Sequence, residues 1–471
     1  MNAPLDAPTS PRDAFAALLP DGAWLTGDAA APYLADVLRY QGTALGVALP
    51  ETVEQLSALA RTAFEQRVTL VPQGERTGLC GAALPDRGGT QCAVSFARMK
   101  RVRGYDPVNR SITVEAGLRL SELNRHAEPA GLCLPIDLGS DPAVGGLLGA
   151  NAGGSRLIKY GDTRRNVLGV EAVLADRDGT VLDLLAPLRK NNTGLDLKQL
   201  FIGAGGANGL VSAVSFALAP VERSSHTILI AFASYDAATR GLVAFEAAFG
   251  ELLSAYEFIS ARALAHVSAV FPALRAPFDD GAAACFALVE IASGMAGLDA
   301  LFEARGLDLV QALLGEGAAL DAAFGASERF WRIRDSLPLA VAQDALPLSF
   351  DIAFARGALA PFLEETARWF AAAHPRLGYY EFGHFGDGGC HLIVAIPLAL
   401  ADQYGPMRQI ALRGELYERV RRHGGSFSAE HGIGPTNLAY YRKFVPPATR
   451  AAATAIQQAL DPRALCGRVR Y

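Results

Sequence analysis

The chain has 471 residues, 51% of them hydrophobic and 19% charged, with a formal net charge of −5. That length exceeds one ordinary core and predicts two or three domains, and the composition is globular, with no bias toward disorder. Acids and bases are interspersed, which argues against a nucleic-acid-binding surface and leaves the sign of a substrate open. Six cysteines (Cys80, Cys92, Cys133, Cys285, Cys390 and Cys466) sit far apart, and none has CxxC spacing. Iron–sulfur and zinc-ribbon sites are thereby excluded and a reduced compartment is expected. Residues 1–30 lack the apolar core of a signal peptide, and no apolar run reaches about 18 residues. A soluble, cytoplasmic protein without a transmembrane segment is expected.

In chain order, residues 1–37 read as a loose lead-in with a short helix. The stretch 51–68 places Val53, Leu56, Leu59, Ala60 and Phe64 at helical spacing, and an apolar strand then runs into "VPQGERTGLCGA" (71–82). "RSITVEAGLRLSELNRHAEPAGL" reads as strand, turn and helix. "NVLGVEAVLADRDGTVLDLL" reads as two strands joined by a turn at Asp176–Gly179. After Pro220 a new strand, "HTILIAFASY", opens a region of alanine-rich helices and strands that extends to about residue 400. A helical segment over 402–423 leads into "GGSFSAEHGIG" and a short tail. The architecture expected is α+β: a glycine-loop domain over 38–220, a second domain over 221–400, and a C-terminal segment over 401–471 that completes the active site.

Three glycine-rich loops fall within the first domain: 71–82, 137–162 and 191–214. Glycine lets successive backbone N–H groups turn toward one point, a concavity that suits phosphate. One such loop is ordinary turn chemistry, but three together point to a large anionic cofactor. A nicotinamide site is the rival reading. "GAGGANG" (203–209) has Asn208 at the third glycine position of GxGxxG and no clear βαβ unit after it, so that reading is set aside.

In "EFGHFGDGGCHLIV" (381–394) the four glycines argue against a helix and for strand, turn and strand. A hairpin would bring His384 and His391 close. With Glu430 of "SFSAEHGIG" they make two imidazoles and a carboxylate, a set common in catalytic zinc sites and acceptable to manganese or iron(II). Two histidines left at a turn is the competing reading.

The glycine loops, "GHFGDGGCH" and "GGSFSAEHGIG" together resemble the FAD-linked D-2-hydroxyacid dehydrogenases, whose first domain has the vanillyl-alcohol-oxidase (PCMH) type of FAD-binding fold. The likeness runs from about residue 38 to the end, and D-2-hydroxyglutarate and D-lactate dehydrogenases are the members most similar. It implies FAD-dependent oxidation of a D-2-hydroxyacid to the 2-oxoacid. It also implies non-covalent FAD, with Cys80 at a position where non-covalent relatives have serine. The cofactor residues it implies are Pro72, Gln73, Gly74, Thr77, Gly78 and Gly81 in the first loop. The second loop adds Leu138, Gly139, Gly146, Asn151, Gly154 and Tyr160, and the third Gly209 and Val211. A divalent metal, zinc first, is implied on His384, His391 and Glu430. His431 is implied as the base and Arg334 as the holder of a substrate carboxylate. In an extended backbone Glu430 and His431 would point to opposite sides, one to the metal and one to the proton. The expected partners are the hydroxyacid, an external electron acceptor (a quinone or an electron-transfer protein) and a second copy of the chain in a homodimer. His126, His226, His266, His374 and His423 match no motif of the family.

The chain departs from the family pattern at several places. Gly389 stands where an asparagine is usual, Ser349 where a substrate-binding lysine is usual, and Pro338 where a hydroxyl residue is usual. Glu75 puts a like charge beside an expected pyrophosphate, Gly205 replaces a glutamate, and the tail around Cys466 lacks an asparagine–proline pair. A degenerate member acting as a non-catalytic binding or partner subunit, and an oxidase using dioxygen, are the alternative readings.

Overall fold

The helix expected over 51–68 forms as Val53–Gln66. It starts at Thr52, whose hydroxyl accepts the Gln55 N–H, and ends at Arg67 in the left-handed region, an arrangement that satisfies otherwise orphaned groups at both ends. Its buried face (Leu56, Leu59, Ala60, Ala63) joins Leu70, Val94, Val173, Leu210, Leu465 and Cys466 in one core. The coordinates are a computed structural model that describes residues 10–37, 40–278, 281–325 and 327–471. The chain divides into two units. One comprises 1–152, 162–220 and 431–471, the other 153–161 and 221–430.

The first unit has a four-stranded sheet in the order Trp24–Leu25, Gly46–Ala48, Cys92–Ser95 and Leu70–Gln73. The last three strands are parallel to one another. The tail covers the edge at Leu70: Leu70 N–H donates to Leu465 O (2.7 Å), and Gly467 N–H donates to Leu70 O (2.8 Å). A five-stranded antiparallel sheet follows, ordered Val102–Asp106, Ser111–Glu115, Leu210–Ala217, Val167–Val173 and Val181–Leu184. Its apolar face packs under the short glycine-rich helix Val144–Ala150 through Val114, Leu147, Leu148, Val170 and Phe216.

The second unit is built on a seven-stranded antiparallel sheet. Its order is Ala319–Phe324, Ser224–Phe232, Cys285–Ser293, Leu253–Ser260, Gly378–Gly383, Gly389–Pro397 and Ala345–Ala353. Side chains of period two (Leu229 and Ala231, Phe286 and Leu288, Ile259, Phe382, Ile393) pack against Phe330, Ile333, Leu337 and Val341. Those four belong to the consecutive helices Ser327–Asp335 and Leu337–Asp344. Pro338 lies in the first turn of the second helix, where its missing N–H costs nothing.

The division differs from the sequence expectation in two places. The span 401–471 is not one segment, because 401–430 belongs to the second unit and 431–471 to the first. The nine residues 153–161, expected within the glycine-loop domain, cluster with the second unit. Side-chain pairing explains the second difference: Arg156 bonds Glu290, and the Tyr160 hydroxyl donates to Glu222 (2.8 Å). Residues 1–9 of the expected lead-in, and 38–39, lie outside the described residues. The short helix of the lead-in is Pro11–Ala16.

Candidate active site

In the first unit the three glycine loops converge. A Cβ on Gly74 would stand 3.0 Å from Ala143 Cβ and 3.8 Å from Gly146 N, which puts the first loop against the second. Gly203 N–H and Gly205 N–H donate to Leu148 O and Gly149 O (both 2.9 Å), joining the third loop to the second. Gly206, at φ +75°, leaves no room for a Cβ, which would meet Pro72 Cγ at 2.4 Å. By contrast, an added Cβ on Gly78, Gly139, Gly146 or Gly149 would meet nothing within 4 Å. The loops are therefore packed on one side and open on the other, a cradle whose bare backbone fits an extended phosphate-bearing cofactor such as FAD.

Several residues expected on the cofactor serve the cradle itself. Gln73 donates from Nε2 to Tyr33 O (2.9 Å) and Ala83 O (2.7 Å). Asn151 caps its helix in the left-handed region, with Nδ2 on Asp162 and Oδ1 on the Arg164 N–H. Gly209, at φ +151°, is pressed against Phe201 and Val173, and Val211 lies in a strand. Gly154 and Tyr160 are in the second unit. The charge of Glu75 is offset by Arg119 at 2.9 Å. Gly205 sits at φ +57°, a conformation a glutamate adopts only with strain. Cys466 is buried, its N–H bonded to Asp461. Cys80 is buried against the Gly434 backbone.

In the second unit the hairpin forms, but His384 lies in the turn just past its first strand and Phe382 is the residue paired with His391. The turn is fitted to glycine: Gly388 is at φ +87°, with Phe354 O only 2.2 Å from where its Cβ would be. A Cβ on Gly389 would meet Asp387 Oδ1 at 2.8 Å and His384 Cβ at 3.3 Å, so an asparagine would crowd the ring of His384. His384 Nε2 stands 3.2 Å from His391 Nε2 and 3.0 Å from Glu430 Oε1. Those are separations that two ligands of one ion adopt when each bond is about 2.0–2.1 Å long. The three ligand atoms lie within 4.8 Å of one another. The donor set fits a divalent ion.

Two carboxylates surround the triad. Glu257, from the buried strand Leu253–Ser260, accepts from His384 Nδ1 at 2.8 Å. It also accepts from Arg334 Nε at 2.8 Å and forms an ion pair with Nη2 at 2.7 Å. Asp351, directly opposite His391 in the sheet, accepts from the Glu430 N–H (2.9 Å) and lies 4.0 Å from His391 Nδ1. Burial disfavours a charged His384, but Glu257 and Glu430 outweigh it and hold its pKa well above the usual value. Burial, aided by His384, pushes His391 down to about 4. Glu257 and Glu430 thus favour a proton on His384, while burial disfavours one on His391.

One edge of the Arg334 guanidinium is occupied by Glu257, and Nη1 donates to Asp335 (3.2 Å). The fork expected for a substrate carboxylate is taken. Toward the triad Arg334 presents Nη2, 3.3 Å from His384 Nε2, and its charge. Ser349 shares its sheet face with Asp351 and is exposed. Arg413 bonds the Ser349 carbonyl but stacks on Phe350, whose side chain points to the opposite face. Arg356 pairs with Glu246. Glu430 and His431 sit in a bend and not a strand, so the alternation expected of an extended pair does not apply. Glu430 is the last residue of the second unit, and His431 opens the final stretch of the first.

Glu257 and Asp351 escaped the sequence reading. Their signal was a carboxylate inside an apolar strand, in "AYEFIS" and "LSFDIAF", where an unpaired charge is too costly to keep.

Residues 44–185 match the family model described as FAD binding domain, and 221–470 match that of FAD linked oxidases, C-terminal domain. A D-2-hydroxyglutarate dehydrogenase of Xanthomonas citri pv. viticola is 32% identical over 435 residues, 91% of this chain and 89% of the relative. The mitochondrial D-2-hydroxyglutarate dehydrogenase of Bos taurus is 33% identical over 432 residues, 88% and 74% of the two chains. Among solved structures, p-cresol methylhydroxylase with substrate bound superposes with a TM-score of 0.74 at 16% identity. That match covers 96% of this chain and 94% of the other, and it establishes the PCMH type of FAD-binding fold. No helix among the described residues is long and apolar enough to cross a membrane.

Proposed function

The chain belongs to the FAD-linked oxidases, and from that premise we propose that it oxidises a D-2-hydroxyacid to the 2-oxoacid, with a divalent ion, zinc first, on His384, His391 and Glu430. When bound, FAD supplies the acceptor for the hydride on the substrate carbon, and the ion lowers the pKa of the substrate hydroxyl. The chain itself binds, orients and takes a proton. Arg334 turns Nη2 and its positive charge toward the carboxylate common to all 2-hydroxyacids. His431, adjacent to the ligand Glu430, accepts the hydroxyl proton as the C–H bond gives up its hydride, leaving C=O.

The observation that carries this reading is the convergence of two imidazoles and a carboxylate from separate stretches of chain, beside an arginine, in a chain of this family. Both similar relatives described above are named for D-2-hydroxyglutarate. Ser349 favours a different preference here. With Arg356 tied to Glu246 and Arg413 stacked on Phe350, neither of these two arginines replaces the lysine missing at Ser349. If that lysine serves the distal carboxylate, hydroxyacids with neutral or apolar side chains are the preferred substrates and the dicarboxylate is the weaker one.

The test is anaerobic mixing of the FAD- and metal-loaded protein with D- and L-2-hydroxyacids while flavin absorbance is followed. D-acids should bleach the flavin and L-acids should not. A protein with full FAD and metal that no D-2-hydroxyacid bleaches overturns the proposal.

A further inference from the structure

Glu257 is a carboxylate in a strand where it has no apolar reason to be. Tyr256, Phe258 and Ile259 beside it are at most 1% exposed, as is Glu257 itself. A buried charge persists only when it is paired and hydrogen-bonded. Here each oxygen has its own partner: Oε1 accepts from His384 Nδ1 (2.8 Å), and Oε2 accepts from Arg334 Nε (2.8 Å) and ion-pairs with Nη2 (2.7 Å). The backbone sets this arrangement, because Phe258 pairs with Gly383, the residue before His384.

We propose that Glu257 is a positioning residue that couples ion binding at the triad to carboxylate binding at Arg334. This rests on the reading of the triad as an ion site. By accepting the Nδ1 proton, Glu257 leaves the Nε2 lone pair of His384 directed at His391 and Glu430, where an ion would sit. The same carboxylate offsets the charge of Arg334, a cation whose Nη2 is 3.3 Å from that Nε2 and would otherwise repel a dication. At the second imidazole, His391 Nδ1 stands 4.0 Å from Asp351 Oδ1. Glu257 is therefore shared between the ligand and the arginine, and what one partner gives up the other gains.

The experiment uses FAD-loaded full-length protein, stripped of metal and titrated with Zn²⁺ against a chromophoric chelator. Glu257→Gln keeps the shape and removes the charge. It should weaken Zn²⁺ binding by about 10–100-fold, weaken binding of a 2-oxoacid to the Zn²⁺-loaded protein, and leave FAD content unchanged. A parent protein that takes up no Zn²⁺ overturns the ion-site reading and this inference with it. A parent that binds Zn²⁺ and a Glu257→Gln variant that binds it equally well overturn the inference alone. Should Glu257→Gln not fold, Arg334→Met decides. It frees Glu257 for His384 and should tighten Zn²⁺ binding by roughly fivefold or more, whereas unchanged or weaker binding overturns the coupling.

Discussion

Replacing Arg156 with methionine would strand one of the most deeply buried carboxylates of the second unit. Arg156 makes a two-pronged contact with Glu290, Nε to Oε1 at 2.6 Å and Nη2 to Oε2 at 3.0 Å. The Glu290 side chain is 3% exposed and that of Arg156 24%. Removing one partner of a buried pair costs about 3–5 kcal/mol when nothing else holds the remaining charge. Glu290 keeps two donors, Ser254 Oγ at 2.9 Å and Trp331 Nε1 at 3.1 Å, each contributing about 1 kcal/mol or somewhat more to a charged acceptor. The expected loss is therefore about 1–3 kcal/mol at neutral pH. In the parent, burial alone would raise the Glu290 pKa, but Arg156 with Ser254 and Trp331 outweighs it and leaves the group below its usual value. A depressed carboxylate stabilises the fold above its unfolded pKa and loses that contribution as pH falls through its folded one. Without Arg156 burial dominates and the pKa rises, so the variant is penalised most at high pH and is relieved when Glu290 takes a proton. Urea unfolding followed by tryptophan fluorescence at pH 8 and pH 5 should show a large deficit at pH 8 and a smaller one at pH 5. Adding Glu290→Gln to the variant should recover part of the loss at pH 8. A deficit under about 0.5 kcal/mol, or one independent of pH, would refute the reasoning.

His391→Ala should remove most of the bound divalent ion while leaving FAD content almost unchanged, as read by elemental analysis and flavin absorbance on one sample. Gly206→Ala, at φ +75° and with Pro72 Cγ 2.4 Å from the new methyl, should destabilise the first unit by about 1–3 kcal/mol and lower FAD retention after gel filtration; full retention would show that the loops yield. Ser349→Lys should raise kcat/KM for dicarboxylates alone if the position serves the distal carboxylate, and for every hydroxyacid if it serves the common one. Acid precipitation should release all flavin to the supernatant, and colour remaining in the pellet would mean covalent attachment.

Most of what locates the site could be read from local sequence. The three loops announce themselves because glycine is costly wherever it is not needed, and the "GHFGDGGCH" turn does so for the same reason. Helix and strand periodicity placed Val53–Gln66 and Ser224–Phe232 within a few residues. Long-range pairing was less visible. That 153–161 joins the second unit depends on Arg156 meeting Glu290, 134 positions away, and no periodicity encodes that. Glu257 was hidden differently. A single acid in an apolar strand is a local contradiction, and the contradiction resolves only when the arginine and histidine that answer it arrive from helix Ser327–Asp335 and from the hairpin turn.

The tail that covers the Leu70 edge has a consequence for synthesis. Residues 221–430 leave the ribosome as one nearly continuous piece, and the nine residues the second unit borrows, 153–161, have already emerged. That unit holds all its parts before residues 431–471, which belong to the first unit, follow. The first unit, begun earliest, must wait for Leu465 and Cys466 to enter its core and cap its sheet edge. In the interval it carries exposed apolar surface and an unpaired strand edge, the features that invite misassembly. The second unit can thus close before the first, whose core needs a segment that follows the second unit in the chain.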